Sequence, residues 1–301
     1  MRVFLTGATG YIGNAVAMAF RGAGHEVWGL CRSAEKMAAL ARQEIHPVAG
    51  DLGRPQSYAA AAAECSVLVH AAADLQAGMV GPDRATLDAF LAAARTGSQP
   101  KTLVYTSGVW VYGDTGAPPV DETTPLKPAR AVAWRPAHEQ LVLQAAGARG
   151  LVLRPGCVYG RQAGLTGNWF AGAHREKVVR VIGDGRNRWA MVHVDDLADA
   201  YVRAAESDLA GEVFNVTDRS RDTVGEMAAA AGAAAGITAP LEHVPLEAAA
   251  RKMGDFAEAL TLDQHVDSGK AVRRLGWQPR HGGFVDGVAT YFEAWKAHQA
   301  T

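Results

Sequence analysis

The sequence has few cysteines, almost no net charge and no long apolar run, and each shortage removes a class of protein. Cys31, Cys65 and Cys157 are the only cysteines in 301 residues. They lie far apart, match no zinc spacing, and by their odd number argue against a complete disulfide framework, so no metal site and a reducing cytoplasm are expected. Thirty Lys and Arg stand against 31 Asp and Glu, a formal net charge of -1. That balance supplies no general attraction to nucleic acid or to anionic membranes, so a partner must be recognised locally and a small-molecule substrate is expected. No uncharged stretch has the length and bulk to cross a bilayer, and the Ala-rich stretches Ala59 to Ala63 and Ala228 to Ala235 read as tightly packed helices. Met-Arg-Val-Phe-Leu-Thr-Gly runs straight into a motif, so no targeting segment is expected. There is no linker rich in Pro, Ser or charge, and no solenoid repeat. What is present is 49% hydrophobic residues, ample for one large domain or two intimately joined ones.

Short apolar or β-branched runs alternate with stretches of helical length: Val3 to Thr6, Glu26 to Cys31, Ile45 to Ala49, Val67 to Ala71, Thr102 to Thr106 and Leu151 to Arg154. This rhythm predicts right-handed βαβ units, hence an α/β fold with a doubly wound, parallel Rossmann-type sheet. After about Pro155 the rhythm changes to a Gly-rich, aromatic-containing stretch. Helices are then predicted from Asp195-Asp196 onward, over Asp222 to Gly236, Lys270 to Leu275 and Phe284 to His298, with a strand at Glu212 to Val216. The expected organisation is a dinucleotide-binding domain over residues 1–157 and a smaller, interleaved substrate domain over 158–301, some of whose segments return to the sheet.

Thr6-Gly7-Ala8-Thr9-Gly10-Tyr11-Ile12-Gly13 follows the first strand and opens the first helix, the context a dinucleotide-binding turn requires. Glycines there allow a tight turn and close approach of backbone to a pyrophosphate, and the helix N-terminus offers unpaired N–H groups. Gly7, Thr9, Gly10, Tyr11 and Ile12 are the predicted contacts. An NAD-specific site usually places an acid about twenty residues on, at the end of the second strand. Here Leu30-Cys31-Arg32-Ser33 stands instead. A guanidinium at Arg32 can pair with the 2′-phosphate of NADP, with Ser33 beside it, so NADP(H) is favoured over NAD(H); the other reading of Arg32 is a solvated helix-start residue. Asp51-Leu52 is placed to reach the adenine edge, and Ala71-Ala72-Ala73 lets backbone approach the cofactor.

The Thr6 to Gly13 turn, Asp51-Leu52, Val69 to Ala73, Tyr105-Thr106-Ser107 through Val111-Tyr112-Gly113, Asp121 to Pro125, Leu153 to Gly160 and Val192 to Ala198 together make the chain resemble the extended short-chain dehydrogenase/reductases, the NAD-dependent epimerase/dehydratase family. The resemblance spans nearly the whole chain. It adds Pro155 and Val158 to the expected cofactor contacts and implies a homodimer through the helices after the fourth and fifth strands. The family's chemistry usually rests on a Tyr with a Lys four residues later on one helix. None of the seven tyrosines has a Lys four residues on. Taking Glu139 as a family landmark puts Ala131 at the Tyr position and Arg135 at the Lys position. Arg135 can hold the nicotinamide ribose as a fixed charge, but its pKa is too high for passing protons. The serine expected four residues before the Tyr of Val111-Tyr112-Gly113 is Gly108, with Ser107 next to it.

The catalytic candidates are therefore Ser107, Tyr112 and Arg135, with Tyr112 alternatively a packing residue. Tyr159 and His138 stand behind them, and Asp195-Asp196 is expected to cap a helix. Trp110, Trp134, Trp169, Phe170 and Met191 fall on segments expected to border the cleft. They either wall a pocket for a flat or apolar substrate or close the core between domains. Three functions follow: an NAD(P)H-dependent oxidoreductase reducing a small apolar or aromatic carbonyl or conjugated compound, a nucleotide-sugar epimerase or dehydratase with bound NAD, for which Arg186 and Arg188 speak, and a non-catalytic dinucleotide sensor.

Overall fold

The computed structural model describes residues 1–73, 78–96, 99–162 and 164–299. The six apolar runs of the first half become β1 (Arg2–Thr6), β2 (Glu26–Cys31), β3 (His46–Ala49), β4 (Val67–His70), β5 (Lys101–Thr106) and β6 (Ala148–Pro155). Between them run α1 (Tyr11–Gly22), α2 (Ala34–Arg42), α3 (Ala59–Ala63), α4 (Val80–Arg95) and α5 (Arg135–Leu143). The second half contributes β7 (Cys157–Tyr159), α6 (Gly167–Ala171), β8 (Arg180–Ile182), β9 (Met191–His193), α7 (Val194–Glu206), β10 (Glu212–Val216) and α8 (Val224–Ala234). It ends with β11 (Glu242–Val244), α9 (Leu246–Met253), α10 (Phe256–Ala259), α11 (Gly269–Leu275) and α12 (Val288–Gln299).

One seven-stranded sheet runs in the order β10-β6-β5-β4-β1-β2-β3 with every pairing parallel. Alternation along β1 shows why it is buried on both faces. Val3 and Leu5 join Val16, Phe20, Tyr201 and Trp277 on one side, and Phe4 joins Tyr58, Phe90 and Tyr105 on the other. The chain winds outward in both directions from β1 and β4, so the crevice beyond their carboxyl ends is the switch point where such sheets bind ligands. The proposed boundary at residue 157 falls at the start of β7, and β10 returns from the second half to the sheet edge. The remaining strands form two short parallel pairs, β7 with β9 and β8 with β11. Around them Trp169, Phe170, Phe284, Phe292 and Trp295 build a second, aromatic core.

The start of α7 departs from the sequence reading. Its cap is the His193 ring, which accepts from the Asp195 N–H at 3.1 Å, and the two aspartates lie inside the first turn. The Asp196 carboxylate instead accepts the backbone N–H groups of Arg280 and His281, each at 3.1 Å, while Trp277 Nε1 donates to its carbonyl. This ties the C-terminal segment to α7 and stacks His281 on His193 at 3.5 Å. Tyr159 and Tyr291 face the same ring, and Arg161 pairs with Asp195 at 2.7 Å. Burial, and then the charge of His281, push the His193 imidazole down from 6.5 to about 4. A histidine neutral in the fold but protonated when unfolded stabilises above its unfolded pKa, and that stability is lost as pH falls through the folded value. Thermal melts are therefore expected to show on the order of 2 kcal/mol lost between pH 6.5 and 4 after solvent screening is allowed for. His281→Phe keeps the stack, drops one charge and should flatten that fall; an unaltered pH profile in this variant would contradict the assignment.

Candidate active site

The glycine turn sits at the switch point. Gly7 has φ +78, and a Cβ there would lie 2.8 Å from the Ala71 carbonyl oxygen and 2.9 Å from the Ala72 Cα. A Cβ on Gly13 would lie 2.0 Å from the Gly7 oxygen. Only glycines let β1, the β4 end and α1 come this close. Gly10 caps α1 with extended backbone and no side-chain hydrogen bond, which leaves the first N–H groups of that helix available to an anion. These features fit a dinucleotide pyrophosphate.

A cavity of about 380 Å³ opens over this turn. Gly7, Thr9, Gly10, Tyr11 and Ile12 line it, joined by Arg32, Leu52 and Ala71 to Ala73. Other residues expected at the cofactor lie off its walls. Ser33 caps α2, its hydroxyl accepting from the Lys36 N–H at 3.3 Å. The Asp51 carboxylate accepts from the Gly53 N–H at 2.8 Å, closing its own turn and leaving Leu52 as the wall. Pro155 ends β6, and Val158 packs into the sheet core with residues of β1, α1 and α7. Lys36, which is not among the residues expected from the sequence, lines the cavity with Arg32. Its signal was an anomaly, since a cation in the first turn of a helix opposes the macrodipole unless an anion is nearby.

At the end of β5, Arg135 donates to the Thr106 carbonyl at 2.6 Å and to the Tyr105 hydroxyl at 3.4 Å. Its guanidinium also lies 4.6 Å from the Trp134 ring. Ser107 is 5% exposed, and its hydroxyl has no hydrogen-bond partner among the described residues. An unpaired buried hydroxyl costs about 1–3 kcal/mol, a penalty relieved by any ligand oxygen or nitrogen that reaches it. Beneath them Asp83 of α4 gathers His138 Nδ1 at 2.6 Å, the Tyr105 hydroxyl at 3.1 Å and His70 Nε2 at 3.3 Å. Burial alone would raise the Asp83 carboxyl, but the hydrogen bonds of His138 and His70 and the charge of Arg135 outweigh it and hold the group well below the ordinary range. His138, expected on the helix surface or at the cleft, is thus buried and committed to a structural carboxylate.

Residues 3–217 match the NAD dependent epimerase/dehydratase family. The chain belongs to that family. Its extended short-chain dehydrogenase/reductase character agrees with the seven-stranded sheet and with solved structures: dTDP-glucose 4,6-dehydratase of Bacillus anthracis in complex with NAD superposes with a TM-score of 0.84 at 18% identity, over 100% of this chain and 98% of that one. Among curated relatives, the 4-hydroxy-2-methyl-3-oxo-4-farnesyl-3,4-dihydroquinoline-1-oxide ketoreductase of Stigmatella aurantiaca is 33% identical over 276 residues, covering 86% of this chain and 80% of its own. The 3-diazoavenalumate denitrifying reductase of a Streptomyces species is 29% identical over 311 residues, covering 96% and 99%. No helix among the described residues is long and apolar enough to cross a membrane.

Within this family frame, Ala131 lies in the short turn Arg130–Val132 ahead of α5, and Arg135 is the first residue of that helix. Several expected site residues are elsewhere. The Tyr112 hydroxyl donates to Asn215 Oδ1 at 2.9 Å and accepts from Arg154 at 2.8 Å, and the residue is 3% exposed. Its hydroxyl is already engaged in both directions inside the core, so the expectation that it serves as proton donor is withdrawn. Tyr159 donates to the Gly282 carbonyl at 3.3 Å inside the aromatic core. Phe170 packs on Phe284, Phe292 and Trp295, and Met191 pairs with Cys157 in the β7–β9 ladder. Both are fully interior rather than cleft residues, because the second core, assembled from segments remote in sequence, closes around them. Arg188 engages Asp263 and Arg186 engages Asp184. Trp110 stands edge-on to Phe256 at 5.4 Å, Trp134 meets His138 at 4.9 Å, and Trp169 stacks on Trp189 at 5.3 Å.

Proposed function

We propose that the protein is an NADP(H)-dependent reductase of a small apolar or aromatic carbonyl or conjugated compound. The observation that carries the cofactor half is the pair of cations, Arg32 and Lys36, on the wall of the dinucleotide cavity. No acid stands at the end of β2 to favour the ribose hydroxyls of NAD, and two cations suit a 2′-phosphate. Arg32→Ala and Lys36→Ala are each expected to weaken NADPH binding about 10- to 100-fold while leaving NADH affinity nearly unchanged. Equal losses for both nucleotides in a fluorescence titration would reverse the preference.

When bound, the nicotinamide supplies the hydride that adds to the substrate carbon. This chain then has to hold the substrate oxygen and keep the ribose in place. Ser107 supports the first role, because its buried hydroxyl lacks a partner among the described residues. With the Tyr112 hydroxyl engaged in the core, the proton comes from water or an atypical donor. Arg135 supports the second as a fixed charge at the β5 end. The Stigmatella and Streptomyces relatives, both named as reductases, support this reading; the UDP-glucose 4-epimerase of Mycolicibacterium smegmatis, 28% identical over 325 residues, supports the nucleotide-sugar one.

NADPH oxidation against a panel of quinones, enones and aryl ketones tests the proposal. Turnover on at least one class is expected, with Ser107→Ala lowering kcat about 100-fold at little change in NADPH affinity. Release of NAD on denaturation together with no NADPH consumption would instead mark a nucleotide-sugar enzyme. Binding with no turnover would mark a sensor.

A further inference from the structure

A second cavity, of about 530 Å³, lies between α6, β8 and α9, away from the dinucleotide turn. Its inner wall is aromatic and rigid. Trp169 and Trp189 stack with 10° between their planes, and Trp189 Nε1 donates to the Leu260 carbonyl at 3.0 Å. The indole's one polar atom is thereby engaged, so the ring presents carbon. Val181 and Leu260 complete that wall.

The mouth is built differently. Only Ala249 of α9 is buried, and the helix hangs between Pro245 and Gly254, whose φ is +58. It contributes Lys252 and the 40%-exposed Met253 to the lining. The other cation at the rim, Arg180, is held by Glu176 and Glu242. One exposed ammonium facing an apolar wall does not suit a diphosphate, which needs several cations or N–H donors to replace its hydration. It suits a hydrocarbon body with a single anionic group.

Side-chain packing runs from the cavity's aromatic wall toward the segment after β5. Trp110, three residues past Ser107, packs on the core cluster that contains Trp169 and Trp189 and stands against Phe256, which opens α10 just beyond α9.

We propose that this cavity seats the apolar body of the substrate, and that the substrate is an amphiphile: an aromatic or branched hydrocarbon bearing, apart from the carbon that is reduced, one anionic group that meets Lys252. That the occupant is the substrate rests on the reductase reading; that the cavity binds such a compound does not. The walls that hold the body are apolar surface, and its removal from water drives the binding.

The test uses two probes, 2-naphthoate and neutral 2-acetylnaphthalene, titrated into the whole protein with tryptophan fluorescence as readout. Saturable quenching by both is expected. Lys252→Ala should weaken naphthoate about 3- to 10-fold and leave acetylnaphthalene unchanged. Ala248→Phe, which fills the cavity from α9, should weaken both at least about 10-fold while NADPH titration shows an unaltered dinucleotide site. Absence of quenching, unchanged affinities in Ala248→Phe, or displacement of the naphthalenes by UDP-glucose would overturn the cavity inference. Probes that bind in this way, with no NADPH oxidation on any quinone, enone or aryl ketone of the panel, would overturn the reductase reading alone. Reduction of acetylnaphthalene with an unchanged KM in Ala248→Phe would overturn the cavity inference alone.

Discussion

Gly13→Ala is expected to remove dinucleotide binding, raising the Kd for NADPH beyond about 100-fold, and to lower the melting temperature. The added methyl would stand 2.0 Å from the Gly7 oxygen and 2.5 Å from its carbonyl carbon, and both are backbone atoms. Neither can swing aside as a side-chain tip would, so relief requires the turn to open and α1 to withdraw from β1. Overpacking of this kind costs about 1–3 kcal/mol or more even where side chains can adjust. Gly22→Ala, at the far end of the same helix, meets nothing within 4 Å and serves as the control. It should leave binding intact and hold or slightly raise stability. Fluorescence titration and thermal melts on the two variants separate a local clash from a general intolerance of alanine in α1. Retained affinity in Gly13→Ala would mean that the phosphates are not bound at this turn.

Glu139→Ala is expected to cost about 3–5 kcal/mol of folding stability, the range for breaking one side of a buried ion pair. The Glu139 carboxylate receives Arg154 Nε at 2.9 Å and its terminal nitrogen at 2.5 Å, with the pair 1% and 5% exposed. Arg154 also donates to Tyr112, which passes the chain of bonds to Asn215 on β10. Removing the carboxylate leaves a guanidinium buried without its charge partner. Replacing both, as in Glu139→Leu with Arg154→Leu, should recover much of the loss, because burial of the lone charge is what destabilises. A denaturant series showing less than about 1 kcal/mol for Glu139→Ala would place this pair among weakly coupled surface contacts. The consequence reaches the site, since Glu139 lies one helical turn after Arg135 on α5. Its anchor on β6 sets where α5 begins, and so where Arg135 meets Thr106.

The sheet strands were legible because each is a short apolar run bounded by turn residues, and their edges moved by a few residues at most. The Glu212 to Val216 strand appeared with the bounds read from the sequence. Side-chain destinations in the second half were less legible. Met191 and Phe170 sit on short segments whose facing depends on a second core assembled from α6, α8 and α12, and no local pattern announces that core. The cap of α7 was misassigned for a related reason. Two aspartates at a helix start are sufficient as caps in isolation, but Asp196 is drawn to the N–H groups of residues more than eighty positions later.

The sequence by itself determined the family, the parallel sheet and the glycine turn, because these depend on residues close together in the chain: a strand, a tight turn and a helix N-terminus. Tertiary structure decided what the polar side chains do. Tyr112 became part of a buried ion-pair network, His138 a partner of Asp83, Lys36 a wall of the dinucleotide cavity and Trp189 a wall of the second one. The physical reason is that a buried hydroxyl, imidazole or carboxylate takes whichever partner packing brings within 3 Å, and those partners come from strands and helices remote in sequence.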